Sequence, residues 1–224
     1  MAEQKHNPNA MDVEEALSSS EAYVIKNKKT IMGVIIALIV IAGGWLLYDR
    51  FVATPKELNA STMLAKGQEY FAMRQYDMAL NGDSLSYKGF AAIATEESGT
   101  DAGNLANAYA GLCLAQTGKY EEAIAYLEKF SGDDQMVAPA VKGALGNCYV
   151  HKGDLEKGAS LLVAAAKESD SQSLSPIWLQ QAGEVYEKLG KKDEALKAYQ
   201  TIKDKYFNSY NGVNIDKYIE RVSK

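Results

Sequence analysis

The chain has 224 residues, of which 47% are hydrophobic and 24% are charged, as in ordinary folded proteins. A formal net charge of −5 argues against a nucleic-acid surface, because such a surface needs clustered Lys and Arg to replace phosphate counterions. Residues 1–29 open the chain as a polar stretch without a sustained hydrophobic period. We expect a disordered or weakly helical tail there.

The next segment, residues 31–48, reads IMGVIIALIVIAGGWLLY and contains no charged residue. As a helix it would be about 27 Å long, close to the roughly 30 Å of a bilayer core. A buried helix of a soluble domain would show polar positions at helical spacing, and this segment has none. The sequence therefore predicts a transmembrane helix at residues 30–49.

A cleaved secretory signal is the alternative interpretation of this segment. However, about 30 residues precede it, its apolar run exceeds a signal core of about 7–15 residues, and Asp49-Arg50-Phe51 after it is unlike a cleavage site. We favour an uncleaved signal anchor. Because lysines at 26, 28 and 29 flank its N-terminal side, the positive-inside rule predicts a cytoplasmic N-terminus and an exported C-terminal part.

The remainder of the chain has the composition of helices. Thr54-Pro55 predicts a break within a linker at 50–59, because the residue before a proline avoids the helical conformation. From about residue 58 onward Ala, Leu, Glu, Lys and Gln are frequent, and the alternation typical of strands is nearly absent. These features predict an all-α fold after the anchor.

A glycine pattern recurs three times in this helical part. The second glycines of the three pairs, Gly118, Gly153 and Gly190, lie 35 and then 37 residues apart. This is the period of helical hairpins, which stack on one another to bury their apolar faces. Each of these glycines ends the first helix of a hairpin, helix A, where a left-handed residue reverses the chain. The predicted hairpins, here named repeats 1, 2 and 3, span 104–131, 138–168 and 176–206.

The first glycine of each pair lies in the middle of helix A, at Gly111, Gly146 and Gly183. A glycine there costs about 1 kcal/mol relative to alanine, so we expect the second helix, helix B, to cross too closely for a larger side chain. The small residues expected at the crossing on helix B are Ala123, Gly158 and Ala195.

Three further segments complete the predicted repeat domain at 60–224. Residues 60–80 follow the pattern, but Arg74 stands where the turn glycine belongs, so we read a degenerate repeat there. Residues 81–100 carry loop signals at both ends and form an insertion around a short helix. Residues 214–223 form a helix that seals the open end of the stack, with an apolar face made of Ile215, Ile219 and Val222.

The chain offers few residues for catalysis or metal binding. Its two histidines, His6 and His151, cannot form a pair with metal-ligand spacing, and no phosphate-binding loop motif occurs. Cys113 and Cys148 occupy the same position on successive A helices, whose axes are about 8–10 Å apart, so we expect buried thiols rather than a disulfide. We predict no enzyme activity, no cofactor and no metal.

The stretch AGLCLAQTGKYEEAIAYL, which starts at Ala110, resembles the tetratricopeptide repeat (TPR) family at its small, turn-glycine, aromatic and alanine positions. The stretches GNCYVHKGDLEKG and AGEVYEKLGKKDEALKAY match less fully. Gly158 replaces the alanine of helix B, and the consensus tryptophan early in helix A is replaced by Asn107, Lys142 and Leu179. The resemblance implies an α-solenoid that binds proteins in a concave groove lined by the A helices.

If the family geometry applies, nine groove-facing positions are candidate partner contacts: Leu112, Gln116, Asn147, Val150, His151, Gln180, Glu184, Glu187 and Lys188. The TPR clamp that captures C-terminal carboxylates of cytosolic heat-shock chaperones uses Lys and Asn early in its first helix. Ala108 and Leu112 stand there in this chain, so we do not expect that function.

The order of tail, anchor and exported repeat domain resembles the YfgM-like family of single-span bacterial proteins, ancillary subunits of the protein-export translocon. The resemblance implies a non-enzymatic scaffold at the periplasmic face of the bacterial inner membrane. Its partners would be proteins, namely translocon subunits and a membrane-anchored periplasmic chaperone, and neither nucleic acid nor a small-molecule substrate. A structural scaffold for cell-envelope assembly or division is the alternative interpretation.

Overall fold

The computed structural model of the protein describes residues 8–83 and 85–224. Within these residues every regular element is helical, which confirms the all-α prediction. The chain divides at Pro55 into an N-terminal unit and a larger C-terminal unit, Lys56–Lys224. Each unit has its own architecture.

The N-terminal unit consists of α1, Pro8–Tyr48, followed by a π-helical turn, Asp49–Ala53. The apolar part of α1 is long enough to cross a membrane. Its most apolar 18 residues have a mean hydropathy of 2.5, and none of them is buried. α1 begins at Pro8, so the segment expected to be a disordered or weakly helical tail has a helical backbone from that residue onward. Ala, Glu and Met in this stretch favour that conformation. Residues 1–7, with His6, lie outside the described residues.

Thr54-Pro55 does not break the helix as predicted. α2 begins at Thr54 and ends at Ala72, so the expected linker at 50–59 is helical. Thr54 has helical dihedral angles, φ −62° and ψ −47°, and its N–H donates to the carbonyl of Asp49, five residues earlier. Pro55 is the second residue of α2, a position in the first turn where a helix tolerates a missing N–H.

Three helical hairpins form the central part of the C-terminal unit. Their A and B helices are α5 (Asp101–Gln116) with α6 (Tyr120–Leu127), α7 (Val137–Lys152) with α8 (Leu155–Ser169), and α9 (Ser175–Lys188) with α10 (Lys192–Lys205). The turn glycines have φ values of 79°, 97° and 73°, the left-handed conformation that the glycine pattern predicts.

The degenerate repeat keeps the same turn without a glycine. α2 and α3 (Tyr76–Asn81) are joined through Arg74, whose φ of 60° lies in the left-handed region. After α3, the insertion contributes α4 (Phe90–Glu96) and is part of the core, because Tyr87 and Phe90 are almost fully buried. Both side chains cover Gly67 of α2, where an added Cβ would lie 2.1 Å from the Tyr87 hydroxyl.

One carboxylate orders the loop that leads into the insertion. Asp83 Oδ1 accepts the N–H groups of Ser86 and Tyr87 at 2.6 and 2.8 Å. Its Oδ2 accepts the hydroxyl of Tyr70 at 2.7 Å and lies 3.0 Å from Lys66 Nζ. The backbone N–H groups, followed by Tyr70 and Lys66, hold the pKa of Asp83 far below its usual value.

The C-terminal end of the stack is closed by α11 (Tyr210–Val213) and α12 (Asp216–Ser223). Ile215 and Val222 are buried in one hydrophobic cluster with Tyr199 and Ile202 of α10. The predicted apolar face is therefore present, although a first short helix precedes the main one.

The helices of each hairpin cross as closely as the glycines predict. An added Cβ on Gly111 would lie 2.5 Å from Leu127 Cγ, and one on Gly146 would lie 3.0 Å from the carbonyl oxygen of Gly158. Gly183 differs, because the ring of Tyr199, at 2.3 Å, faces it rather than the predicted Ala195. The two cysteines, Cys113 and Cys148, are free thiols buried in the core, and burial raises the pKa of each, to about 12 and about 11.

Restoring the family alanine at position 158 should destabilise the protein. An alanine Cβ would lie 2.4 Å from Val150 Cγ2 and 2.9 Å from the carbonyl oxygen of Gly146. We expect Gly158→Ala to lower the free energy of unfolding by about 1–3 kcal/mol, as overpacking does, despite the better helix propensity of alanine. Urea unfolding followed by circular dichroism measures this, and Ser160→Ala, at an exposed position of α8, is the control with no loss. A more stable Gly158→Ala protein would contradict the close crossing.

The contribution of Asp83 to the stability of the fold should depend on pH. Because its folded pKa is lowered, the ionised carboxylate stabilises the fold above the usual pKa of about 4, and this contribution is lost as the pH falls below that value. We expect Asp83→Asn to lower the melting temperature at pH 7 and the difference from wild type to shrink below about pH 4. A difference that stays constant down to pH 3 would show that charge is not involved.

Candidate functional site

The five predicted groove residues of repeats 1 and 2 have different surroundings. Leu112 is half-buried against the core, and Gln116 is exposed. Asn147 donates a long hydrogen bond, 3.4 Å, to Gln181 of the next A helix. Val150 points at Gly158 of its own hairpin, and the exposed His151 stacks on another aromatic ring, that of Tyr120, at 4.4 Å. Gln116 and His151 are therefore the exposed members, and Leu112, Asn147 and Val150 are partly buried.

Two of the four predicted groove residues of repeat 3, Gln180 and Glu187, contact the C-terminal segment of the chain itself. Gln180 accepts the side-chain N–H of Asn211 at 2.7 Å, and its own amide donates to the Tyr218 hydroxyl at 3.0 Å. Gln180 also donates to Glu184 at 3.0 Å. The last of the four, Lys188, is exposed.

Glu187 forms the strongest of these contacts. Its two oxygens accept Arg221 Nε at 2.8 Å and Nη2 at 2.6 Å, and the Tyr199 hydroxyl donates to it at 2.5 Å. Burial opposes ionisation of Glu187, but the hydrogen bonds from Arg221 and Tyr199 outweigh it and lower its pKa. At this end of the stack, α11 and α12 occupy hydrogen-bonding groups that sequence reasoning assigned to a partner.

Sequence reasoning missed a second set of surface features, which coincide with the replaced consensus tryptophans. Asn107 lines an open, polar cleft of about 690 Å³ together with Thr95, Asn104 and Lys129. Lys142 lines a more apolar cleft of about 410 Å³, and Leu179 lines two smaller ones of about 210 and 170 Å³. A tryptophan ring at these positions would occupy space that is open in this chain.

The signal for these clefts was present in the sequence. Replacement of a large aromatic residue by Asn, Lys or Leu removes volume at a packed position, and a loss of volume leaves a cavity or cleft unless neighbours move in. The sequence did not predict the paths of the neighbouring loops, and these paths decide whether the space is filled.

A family model described as "Tetratricopeptide repeat-like domain" matches residues 22–214, and the chain belongs to this family. The match includes the apolar helix as well as the repeats. No curated protein matches the chain. Domains of this class are protein-interaction scaffolds and are generally not catalytic. Within 8–83 and 85–224, no group of three or more His, Cys, Asp or Glu side chains is arranged to hold a metal ion.

Removing the charge of Glu187 should loosen α12. We expect Glu187→Gln to weaken the contact with Arg221 by about 1 kcal/mol, a modest value because the Arg221 side chain is about half exposed and solvent screens it. Amide hydrogen exchange in α12 should become about fivefold faster. Glu121→Gln, which removes a charge at an exposed position of α6, is the control that leaves α12 unchanged. Equal exchange rates of α12 in the two variants would contradict the role of Glu187 in holding α12.

Proposed function

We propose that this protein is a membrane-anchored TPR scaffold that mediates protein–protein interactions at the periplasmic face of the bacterial inner membrane. In this proposal it is an accessory of protein export, and its partners are translocon subunits and a membrane-anchored periplasmic chaperone. The resemblance to the YfgM-like proteins in the order of tail, anchor and repeats motivates the choice of partners.

The observation that carries the proposal is an exposed apolar helix in the same chain as a repeat domain built for protein binding. From Met32 to Leu47 the large apolar side chains of α1 are about half or more exposed, an arrangement that water disfavours and that lipid satisfies. The residues that match the family model, 22–214, extend over this helix as well as the repeats.

The flanks of the apolar segment support the proposed orientation. Lys26, Lys28 and Lys29 precede it, whereas Asp49 and Arg50 cancel each other on the other side. Trp45 and Tyr48 stand near the second end, where amphipathic rings prefer the membrane–water interface.

Anchoring gives weak contacts of the repeats a functional effect. Confinement of two proteins to one membrane surface raises their effective concentration, so a partner held beside the repeats binds even when its affinity in free solution is low. A scaffold of this kind needs neither a cofactor nor a deep catalytic pocket.

Protease protection tests the orientation. In spheroplasts of cells that carry the protein with a tag at each end, protease added outside should digest the chain after Arg50 and leave a protected N-terminal tag. Exchange of all three lysines at 26, 28 and 29 for glutamate should increase the inverted fraction, with Lys56→Glu as the control on the other side of the span. Digestion of the wild-type N-terminal tag instead would overturn both the topology and the location.

Crosslinking followed by pull-down tests the role. Recovery of translocon or chaperone subunits from detergent-solubilised membranes supports the export function. Their absence, together with recovery of wall-synthesis or outer-membrane assembly factors, would instead favour a structural scaffold for cell-envelope assembly or division.

A further inference from the structure

The B helices of the three repeats differ in length. α8 has 15 residues and α10 has 14, whereas α6 has only eight and ends at Leu127. The chain then continues as a loop from 128 to 136 before α7 begins. Repeat 1 therefore lacks about two turns of its helix B.

The last turns of helix B have a clear packing role in repeat 2. Ala165 and Ala166, near the end of α8, are fully buried in one cluster with Trp178 and Leu179 of the following A helix, α9. In the degenerate repeat, where α3 is also short, the insertion fills the equivalent role through Tyr87 and other buried side chains.

In repeat 1 the corresponding space is the cleft of about 410 Å³ at Lys142, which we name the α6–α7 cleft. Its apolar lining consists of side chains from α6, the following loop, α7 and α8: Leu127, Phe130, Ala138, Val141, Leu145 and Leu161. Phe130, Leu145 and Leu161 are only partly buried. The cleft therefore presents apolar surface to solvent on the side where a helix packs in repeat 2.

The rim of this cleft is acidic. Glu128 and Glu168 line it, and Asp134 Oδ2 lies 3.6 Å from the position that a Cβ on the lining residue Gly132 would take. Asp133 precedes Asp134 in the same loop. Two lysines offset part of this charge, because Lys142 pairs with Glu168 and Lys157 Nζ lies 3.5 Å from Glu128. Asp133 and Asp134, in contrast, form no ion pair with the described residues, so the loop side of the rim is negative.

Hydrogen bonds stabilise the ionised form of two of these carboxylates. A hydrogen bond from the Tyr149 hydroxyl, 2.6 Å long, lowers the pKa of Glu128. The N–H groups of Val137 and Met136, at 2.6 and 2.8 Å, do the same for Asp134. Glu128 and Asp134 therefore keep their negative charge over the physiological pH range.

We propose that the α6–α7 cleft binds a short amphipathic helix of a partner protein, with apolar side chains on the face that enters the cleft and Lys or Arg at its flanks. The occupant takes the place of the missing turns of helix B, and its basic flanks complement the acidic rim. Helix-in-groove recognition of this kind uses apolar anchors at i, i+3, i+4 and i+7. This inference rests on the proposed scaffold function only in that the occupant is a protein.

Peptide binding to the full chain tests this proposal. The protein is placed in nanodiscs of zwitterionic phosphatidylcholine, and empty nanodiscs serve as the blank. The probe is a labelled helical peptide of about 14 residues with leucines at the anchor spacing, flanking lysines and one photoreactive leucine analogue. Its twin carries glutamates in place of the lysines. We expect saturable binding of the basic peptide, about tenfold weaker binding of the acidic twin, and crosslinks to residues 127–145 and 161–168.

Two substitutions of Lys142 distinguish filling of the cleft from loss of the Lys142 charge. Lys142→Trp introduces the consensus ring and should weaken peptide binding about tenfold or more. Lys142→Ala removes the same ion pair without filling the cleft and should bind the basic peptide at least as well as wild type. Gln116→Trp adds the same ring on the predicted groove side and should leave binding unchanged. The helical circular dichroism of each variant verifies that it is folded.

Several results would overturn the proposal. They are the absence of saturable binding, equal affinity of the two peptides, unchanged binding by Lys142→Trp, and crosslinks that map to Leu112 or Asn147. A dimer in light scattering that Lys142→Trp converts to a monomer would make a second copy of the chain the occupant instead. Protease protection does not depend on the cleft, so failure of the peptide test leaves the anchored orientation standing, and an inverted topology leaves the peptide result standing.

Discussion

The repeat domain depends on how closely helices A and B cross within each hairpin. At Gly111, Gly146 and Gly183 an added Cβ would come within about 3 Å of the opposing helix, so the crossing distance itself requires glycine. Close crossing lets the apolar faces of α5 to α10 merge into two clusters. The turns follow from the same constraint, because a hairpin this tight reverses through a left-handed residue, which even Arg74 adopts.

Once the crossings are fixed, the length of helix B determines the surface of each repeat. A short helix B has two different outcomes in this chain. In the degenerate repeat the insertion, which Asp83 anchors, covers the exposed space. In repeat 1 the space stays open as the α6–α7 cleft. At the C-terminal end, α11 and α12 cover the last A helix and bind Gln180 and Glu187. Two of the predicted groove residues of repeat 3 are therefore engaged within the chain itself.

The two units of the chain serve different physical requirements. The N-terminal unit exposes its apolar side chains, whereas the C-terminal unit buries its own by stacking helices. In the proposed function this division is useful, because an anchor would supply local concentration and the repeats would supply specificity. Shallow clefts and moderate charge suit contacts of low individual affinity.

The sequence by itself determined the all-α class, the hairpin period, the left-handed turns and the apolar segment, because each is written in residues that are local along the chain. It predicted the burial of Cys113 and Cys148 for the same reason. Tertiary structure alone decided that Gly183 meets Tyr199, that the last repeat's groove residues bond to the C-terminal helices, and that the space beside Lys142 stays open. Those outcomes depend on the paths of the loops, and contacts between residues that are distant in the sequence determine those paths. The helix across Thr54-Pro55 was missed because the local preference there is weak enough for the neighbouring helical turns to override it.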